Sequence, residues 1–548
     1  MARLSLSLFA FLVVCLLASP GWSQQPPPEA ILFNGKVFTS DLAHLYVEAL
    51  AIRGDRIVAT GTSEKISALA GPQTKRIDLG GRVVIPGIND AHYHLMIHST
   101  VFMLPLKGMD PTWPEVTSEL ASALATAQRG TFIVGETGGA VLEDPRATRA
   151  TLDQLAPDHP VMLATWTQHS AILNTAAIKM LGIKENEPDP KGGWFGRSAD
   201  GKLTGLAMEF ARFRLHRRMS EMASEEEALQ QTRDFLNEAV RFGITSVQNM
   251  SEPASPEMYV HLLEKTQTPI RVRIMRYLLT DKNGPIDEGR DLPRNPSTLI
   301  TVSGTKWMLD GTPIERTAAM RQPYSDRPST TGYLDFPEKD VEAMLRKSLH
   351  DDDQVMFHAV GDRAAETLLN AMDATGGVAV WARRRVRIEH GDGLVPELAA
   401  RAKTLGVVVV VNPTHITLGD LIRKRYGTAR AEQFFPFRSL LDLGIPFALG
   451  SDGPMNPYLN IMLASTYPGK PREAITREQA VIAYTLTSAY AEFAEMDKGS
   501  LEPGKLADLA VLSQDIFHIP AEDLPKTESV LTMVGGKIVY DAKVVNSR

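Results

Sequence analysis

The chain has 548 residues, of which 43% are hydrophobic and 22% charged, and its formal net charge is −7. The apolar content excludes a disordered chain, the single cysteine excludes a disulfide scaffold, and the slightly acidic charge excludes a basic surface for nucleic acid. A chain of this length is expected to form one large domain together with a smaller one.

The first 23 residues have the pattern of a secretory signal peptide. A lone arginine supplies the positive start, Leu4 to Leu17 form the apolar stretch, and Gly21 and Ser23 place small residues at the −3 and −1 positions of a cleavage site. The apolar stretch is shorter than the roughly 20 residues of a spanning helix, although a retained membrane anchor stays open. The sequence therefore predicts a periplasmic or secreted protein with no stable membrane insertion after cleavage.

Short strand-like runs with turn signals occupy both ends of the remaining chain. Residues 24–85 carry such runs around the turn pairs Asn34-Gly35 and Gly54-Asp55. Residues 497–548 hold a matching cluster of short apolar runs around a Gly-Gly turn. We predict that these two segments form one composite β-sandwich domain, with everything else inserted between them.

Residues 86–496 alternate strand-like runs with helical stretches, as expected of a parallel α/β fold. Eight runs qualify as barrel strands, the number that a closed (β/α)8 TIM-like barrel requires. In chain order they are RVVIPGIND, ITSVQNM, RVRIMRYL, TVSGTKWML, QVMFHAV, RVRIEHG, VVVVVNP and PFALGSD. Residues 105–240, between the first two runs, are too long for a simple connection and predict an inserted lid or subdomain.

Histidines and one aspartate stand at the predicted carboxyl ends of these strands. His92 and His94 end the first strand, and a period of two places both imidazoles on one face, where one ion can bind both. His358, His390 and Asp452 end later strands, and the carboxyl ends of barrel strands form the catalytic face. This set suits zinc or a similar divalent ion, whereas any one of these histidines alone could be a structural residue.

Lys306 lies within the fourth predicted barrel strand, on the same face as Met308 and Asp310. A bare lysine inside a barrel is costly, and its ammonium group repels a metal ion. Carboxylated by CO2, the same side chain becomes an anionic oxygen ligand that can bridge two ions. The alternative is a lysine paired with a nearby acid.

The ordered motifs resemble those of a known enzyme family. The pattern PGxxDAHxH, KxxxDG, HAxGD, IEH and GSD is similar to that of the amidohydrolase superfamily, and more closely to the amidohydrolase-3 branch with YtcJ-like proteins and N-substituted formamide deformylase. QHSAILN at 168–174, DGTPIERTA at 310–318 and FRSLLDLGIPFALGSD at 437–452 extend the resemblance along the chain. The family implies a metal-dependent hydrolase on a barrel of the predicted type.

The resemblance also implies roles for the residues that match its motifs. It implies one or two divalent ions, with zinc as the expected metal, and the ligands His92, His94, carboxylated Lys306, His358, His390 and Asp452. Asp452 is further expected to act as the general base of catalysis. His169, in QHSAILN, is a candidate substrate ligand or second donor, with a structural histidine as the alternative.

The expected reaction is attack of metal-activated water on the C–N bond of an amide-like substrate, an N-acyl or N-substituted amide. The same residues suit an ester, lactone, carbamate or cyclic amide hydrolase, or an isomerase, and a non-catalytic regulatory or binding homologue is a further alternative. The expected partner is a small molecule and not nucleic acid. Because barrels of this superfamily often pair, the resemblance leaves a homodimer open.

Overall fold

The computed structural model of the chain describes residues 26–286 and 288–547. The predicted signal peptide at 1–23 therefore lies outside the described residues. Among those residues, no helix combines the length and the apolar character needed to cross a membrane.

The first described part of the chain forms short strands joined by tight turns. Its elements are β1 (Ala30–Phe33), β2 (Lys36–Phe38), β3 (Tyr46–Val47), β4 (Ala49–Arg53), β5 (Arg56–Gly61), α1 (Ser63–Ser67), β6 (Lys75–Asp78) and β7 (Val83–Pro86). Asn34 and Gly54 adopt the left-handed backbone conformation, both with φ of 59°, that tight turns between strands favour. β1 pairs with β4 and β6, whereas β2 pairs with β3 and β7, so this part contributes to two sheets.

The first predicted barrel run, residues 82–90, is two strands in the structure. β7 belongs to a terminal sheet, whereas β8 (Ile88–Tyr93) is the first strand of the barrel. Gly87 separates them, and a Cβ at this position would lie 2.1 Å from Thr245 Oγ1. The prediction of one continuous strand is wrong here. The residues on both sides of Gly87 are equally buried, so burial does not mark the point where the chain passes from one sheet to the other.

A separate six-stranded sheet follows the first barrel strand. Its strands and helices are β9 (Phe102–Met103), α2 (Trp113–Thr126), β10 (Ile133–Thr137), α3 (Gly139–Leu142), α4 (Arg149–Leu155), β11 (Val161–Thr165), β12 (Ser170–Leu173), α5 (Thr175–Met180), β13 (Gly193–Arg197), β14 (Leu203–Glu209) and α6 (Phe210–Glu221). The strand order is β13-β14-β12-β11-β10-β9. Two apolar clusters pack against this sheet, so it has a core of its own.

The remainder of the barrel alternates strands and helices. Its elements are α7 (Glu225–Arg241), β15 (Ile244–Met250), α8 (Pro256–Lys265), β16 (Arg271–Tyr277), β17 (Thr280–Asp281), β18 (Gly284–Pro285), β19 (Ile300–Met308), α9 (Glu338–Asp351), β20 (Val355–Ala359), α10 (Asp362–Ala374), α11 (Gly377–Trp381), β21 (Arg387–His390), α12 (Pro396–Thr404), β22 (Val408–Val411), α13 (Gly419–Tyr426), α14 (Thr428–Ala431), α15 (Phe437–Leu443), β23 (Phe447–Leu449), α16 (Pro457–Thr466), α17 (Arg477–Tyr484) and α18 (Leu486–Ala491). Short 3₁₀ turns at Pro413–Leu418 and Pro471–Glu473 lie among them.

The barrel sheet has the strand order β8-β15-β16-β19-β20-β21-β22-β23, and each neighbouring pair is parallel. The first and last strands meet where the backbone N–H of Asp452 donates to the carbonyl oxygen of His92 at 3.0 Å. All four residues of β22, Val408–Val411, are buried, because one face of a parallel barrel strand fills the interior and the other packs under the helices. The predicted TIM-like barrel is thereby confirmed.

The last residues return to the two sheets formed by the first ones. The elements are β24 (Leu509–Leu512), a 3₁₀ turn at Ala521–Lys526, β25 (Ser529–Val534), β26 (Lys537–Asp541) and β27 (Asn546–Ser547). β24 pairs antiparallel with β7, and β27 pairs antiparallel with β6. Both ends of the described chain therefore contribute strands to the same two sheets.

Candidate metal centre

A cavity of about 310 Å³ lies at the carboxyl ends of the barrel strands. The insertion supplies part of its wall, including Glu136 and Trp166, and the barrel supplies the rest. The structure brings all seven residues that the sequence singled out to this one cavity: His92, His94, His169, Lys306, His358, His390 and Asp452. For the six residues of the barrel, convergence follows from parallel pairing, which places the carboxyl ends of successive strands at one edge.

The Asp452 carboxylate lies among the histidines. Its Oδ1 atom is 3.6 Å from Nε2 of His92 and 3.6 Å from Nε2 of His94, at the end of β8. Its Oδ2 atom is 3.7 Å from Nδ1 of His390. One ligand atom each from His92, His94 and Asp452 lie within 4.8 Å of one another, which is compact enough to share one ion.

His92 is oriented by a buried ion pair on its other side. Its Nδ1 atom lies 2.6 Å from Glu389 Oε2, and Arg387 binds both oxygens of Glu389 at 2.7 and 3.0 Å. Although burial opposes ionisation, the charge of Arg387 and the contact with His92 hold the pKa of Glu389 well below its usual range. A carboxylate at Nδ1 leaves Nε2 of His92 free for a metal ion.

Glu389→Gln is expected to weaken metal binding by about 10–100-fold, because the amide orients His92 less strongly than a carboxylate does. The matched control is Glu492→Gln, which breaks another buried ion pair in the barrel, with Lys498 at 2.8 Å. Calorimetric titration of the metal-free protein with zinc measures the dissociation constant of each variant. Equal affinities for the Glu389 and Glu492 variants would contradict this role for Glu389.

His358 and His390 form the second histidine pair. Their ring centroids are 4.5 Å apart, and the ring of His390 lies 4.9 Å from that of His92. Nδ1 of His390 contacts Asn412 Oδ1 at 2.8 Å. Burial lowers the pKa of both His358 and His390, as it does for His94, so these imidazoles are neutral at pH 7, the form that binds metal.

Two of the site residues adopt a strained backbone. The φ angle is 70° at His390 and 43° at Asp452, in the left-handed region that residues other than glycine rarely occupy. Each such residue costs about 1–3 kcal/mol and persists only where its surroundings hold it there. Strain at two strand ends that meet the same cavity is typical of a functional site.

Lys306 is buried in β19 and lines the cavity beside these histidines. No carboxylate among the described residues lies within 4.0 Å of its Nζ atom, so the paired-lysine alternative finds no partner there. Burial lowers its pKa to about 8, although the more distant charges of Glu389 and Asp452 oppose the shift. A larger share of neutral amine follows from the lower pKa.

His169 reaches the cavity from the insertion. It precedes β12, and its Nδ1 atom lies 2.5 Å from Glu209 Oε2 at the end of β14. Its ring is 5.2 Å from that of His358. Burial opposes protonation of His169, but the charge of Glu209 outweighs it and raises the pKa of His169 above its ordinary value.

His415 also belongs to the site, although it stands in none of the motifs that predicted the other ligands. It lies in the 3₁₀ turn after β22, with Nε2 3.7 Å from Asp452 Oδ2 and Nδ1 3.3 Å from Asp392 Oδ2. Its ring stacks on that of His390 at 5.1 Å. Its position just after the seventh barrel strand is the sequence signal that could have placed it at the site. The 3₁₀ turn that brings it back to Asp452 depends on packing, which the sequence pattern does not show.

The donor set fits a divalent ion. Two groups of three ligand atoms are each compact enough for one: His92, His94 and Asp452, and His390, His415 and Asp452. Burial lowers the pKa of His92 and His94, and neutral imidazoles with a carboxylate are the ligands that zinc and similar ions prefer. In the second group, although burial opposes protonation, Asp392 and Asp452 raise the pKa of His415 to about 10.

Comparison with known proteins places this site in a family. The model of the Amidohydrolase family matches residues 75–540. The chain is 29% identical to protein LONG AFTER FAR-RED 3 of Arabidopsis thaliana, over 93% of this chain and 91% of that protein. It is 28% identical to YtcJ of Bacillus subtilis, over 94% of this chain and 99% of that protein. It is 25% identical to N-substituted formamide deformylase of Arthrobacter pascens, over 94% and 98% of the two chains.

The fold has a solved counterpart. The crystal structure of an uncharacterized metal-dependent hydrolase from Pyrococcus horikoshii superposes with a TM-score of 0.68 and 23% sequence identity, covering 90% of this chain and 99% of that one. The family resemblance of the motifs is confirmed by the match over most of the chain. The protein is therefore a member of the amidohydrolase family.

Proposed function

We propose that the protein is a zinc-dependent amidohydrolase that cleaves the C–N bond of a small N-acyl or N-substituted amide. The observation that carries this proposal is the position of Asp452, whose carboxylate lies within 3.7 Å of nitrogens from both histidine pairs in one cavity. An N-substituted formamide deformylase that matches nearly the whole chain supports the choice of an amide.

Six residues would hold the metal: His92, His94, Lys306, His358, His390 and Asp452. We propose that Lys306 is carboxylated, because an unpaired ammonium group beside four histidines would repel a cation. In that reaction the neutral Nζ amine forms a bond to the carbon of CO2 and releases one proton, which leaves an anionic carbamate. When bound, a divalent ion lowers the pKa of water towards about 7 and polarises a carbonyl group.

The protein side chains would move the protons and bind the substrate. Asp452 accepts a proton from the attacking water at a carboxylate oxygen and passes it to the leaving nitrogen as the C–N bond breaks. His169, oriented by Glu209 through Nδ1, presents Nε2 to the cavity and donates a hydrogen bond to the substrate oxygen. The insertion thus supplies the hydrogen-bond donor to the substrate oxygen, and the barrel supplies the metal ligands.

His169→Asn is expected to lower kcat/KM by about 10²–10³-fold while metal content stays unchanged, because a donor to the developing oxyanion is lost. The matched control is His159→Asn, which changes a buried histidine of the insertion that does not line the cavity. Steady-state kinetics and elemental analysis on the same preparations give both readouts. Unchanged kinetics in the His169 variant would show that this histidine is only structural.

The bond that is cleaved can be tested with matched substrates. We expect the zinc-loaded protein to hydrolyse N-formyl and N-acetyl amines, measured by release of the free amine. Turnover of the corresponding esters or lactones without turnover of the amides would favour the alternative reactions on the same site. Absence of turnover on both classes with zinc bound would count against a hydrolase.

Metal binding should also stabilise the fold, because an ion that binds only the folded chain adds its binding free energy. At a thousandfold excess over the dissociation constant this contribution is about 4 kcal/mol. We expect zinc to raise the thermal unfolding midpoint of chelator-treated protein, and chelator to lower it again. An unfolding midpoint that zinc leaves unchanged would contradict a preformed metal centre.

A further inference from the structure

The cavity has a second polar wall whose side chains the proposed reaction does not use. This wall, which we name the acceptor wall, consists of Glu252, His216 and Tyr277. His216 lies on α6, Glu252 follows β15 by two residues, and Tyr277 is the last residue of β16. All three side chains line the cavity, and each is at least nine-tenths buried.

Two oxygens of the acceptor wall lack a hydrogen-bond partner among the described residues. Glu252 Oε2 lies 2.9 Å from His216 Nδ1 without hydrogen-bond geometry, so Nδ1 also lacks a partner, and Glu252 Oε1 is buried without one. The hydroxyl oxygen of Tyr277 is likewise buried without a partner. Buried polar atoms are almost always paired in folded proteins, so two orphaned oxygens beside one cavity indicate a ligand that supplies donors.

The charge of the acceptor wall defines the kind of donor. Although burial opposes ionisation, the contact with His216 and the positive charge of Arg212 lower the pKa of Glu252, so its carboxylate is an acceptor only. Arg212 is fully buried on the same helix as His216, and its positive charge already attracts Glu252. Because this charge is compensated within the protein, a neutral N–H or O–H group suits the wall better than a cation.

Phe213 sets the distance between the acceptor wall and the proposed reaction centre. Its ring lies between His169 and Tyr277, with centroid distances of 5.3 and 5.7 Å. It also lines the cavity. An apolar group of about the size of one aromatic ring can therefore pack on Phe213, with the scissile amide at one end and a donor at the other.

We propose that Glu252, together with Tyr277, selects amide substrates that carry a neutral N–H or O–H donor on the far side of an apolar group. This inference rests on the proposed amidohydrolase function for the identity of the scissile bond. Recognition of the donor is a binding property, however, and can be measured without turnover.

The test compares two probes that differ only in the donor. 4-Aminoacetanilide carries an amino group where 4-methylacetanilide carries a methyl group of similar size. Titration calorimetry on the metal-free full-length protein gives the dissociation constant of each. We expect the amino probe to bind at least about tenfold more tightly, as a hydrogen bond to a buried carboxylate predicts.

Three variants locate the effect. Glu252→Gln keeps the shape but removes the charge, and should reduce the preference to about threefold or less. Tyr277→Phe should also reduce the preference for the amino probe. If circular dichroism shows that Glu252→Gln does not fold, the Tyr277→Phe variant alone tests the inference. Glu136→Gln is the control, because it removes an exposed carboxylate from the same cavity and should leave the preference unchanged.

Equal binding of the two probes to the unmodified protein would overturn this inference, as would binding of neither at millimolar concentration. A full preference retained in both Glu252→Gln and Tyr277→Phe would overturn it too. A donor preference that depends on Glu252, found in a zinc-loaded protein that hydrolyses no amide, would support the acceptor wall and count against the proposed reaction. The two failures are therefore distinguishable.

Discussion

Asp452→Asn is expected to lower kcat by about 10²–10⁴-fold while most of the bound metal is retained. The side-chain amide keeps the shape of the carboxylate and one oxygen that can bind an ion, but it cannot accept a proton from water. In the structure this carboxylate lies 3.6 Å from Nε2 of both His92 and His94, among the proposed metal ligands. Steady-state kinetics with elemental analysis on the same sample measures both quantities.

The control for Asp452 is Glu136→Gln, which removes a different cavity carboxylate that is exposed and, among the described residues, forms no hydrogen bond or ion pair with the proposed ligands. This variant should retain activity and metal. Normal turnover in Asp452→Asn would remove Asp452 as the general base. Loss of all metal together with activity would instead restrict it to a ligand role.

Lys306→Ala is expected to reduce the metal content by about one ion per chain and to abolish turnover, because the proposed carbamate would supply an anionic oxygen ligand to that ion. Short carboxylates such as acetate or propionate should restore part of the metal binding by occupying the space that the lysine leaves. The matched control is Lys498→Ala, another buried lysine of the barrel region, which pairs with Glu492 at 2.8 Å.

The outcome that would contradict carboxylation is a Lys306→Ala protein with the metal content of the unmodified chain. Intact-mass analysis alone does not decide the matter, because carbamates are lost in acid. Metal content measured with and without bicarbonate, on the unmodified protein, provides the independent readout. Bicarbonate should raise metal content in the unmodified chain and leave it unchanged in the variant.

The barrel and its histidines could be predicted because both depend on short-range patterns. His92 and His94 are two residues apart on one strand, and a strand presents such residues on one face. His358, His390 and Asp452 each end a recognisable apolar run, and parallel pairing brings the ends of such runs to one edge. Arg387 and Glu389 are also two residues apart on one strand, β21. The same spacing rule therefore predicts that these two side chains share a face and can form the ion pair that orients His92.

Other parts of the site depend on contacts that no local pattern encodes. Glu209 meets His169 only because β14 pairs antiparallel with β12 in the inserted sheet. His415 returns to Asp452 through a 3₁₀ turn after β22. The division of the first predicted strand at Gly87 likewise depends on a close approach to Thr245, a residue far along the chain.

The acceptor wall also could not be predicted from local sequence patterns. Glu252, His216 and Tyr277 lie on three elements, and none of them stands in a motif that marks it for function. Their importance follows from burial and from two oxygens without partners, which are properties of the folded chain. The proposal on substrate selection therefore rests on the packing of the folded chain, whereas the proposed metal ligands rest on the spacing of residues in the sequence.

The most direct test of the metal centre is the metal content per chain of protein purified without chelator, measured by elemental analysis and accompanied by a crystal structure of the same preparation. We expect one or two equivalents of zinc or a similar ion bound by the histidines and Asp452, with density for a carboxylated Lys306. Absence of metal after supplementation with divalent ions and bicarbonate would contradict this expectation.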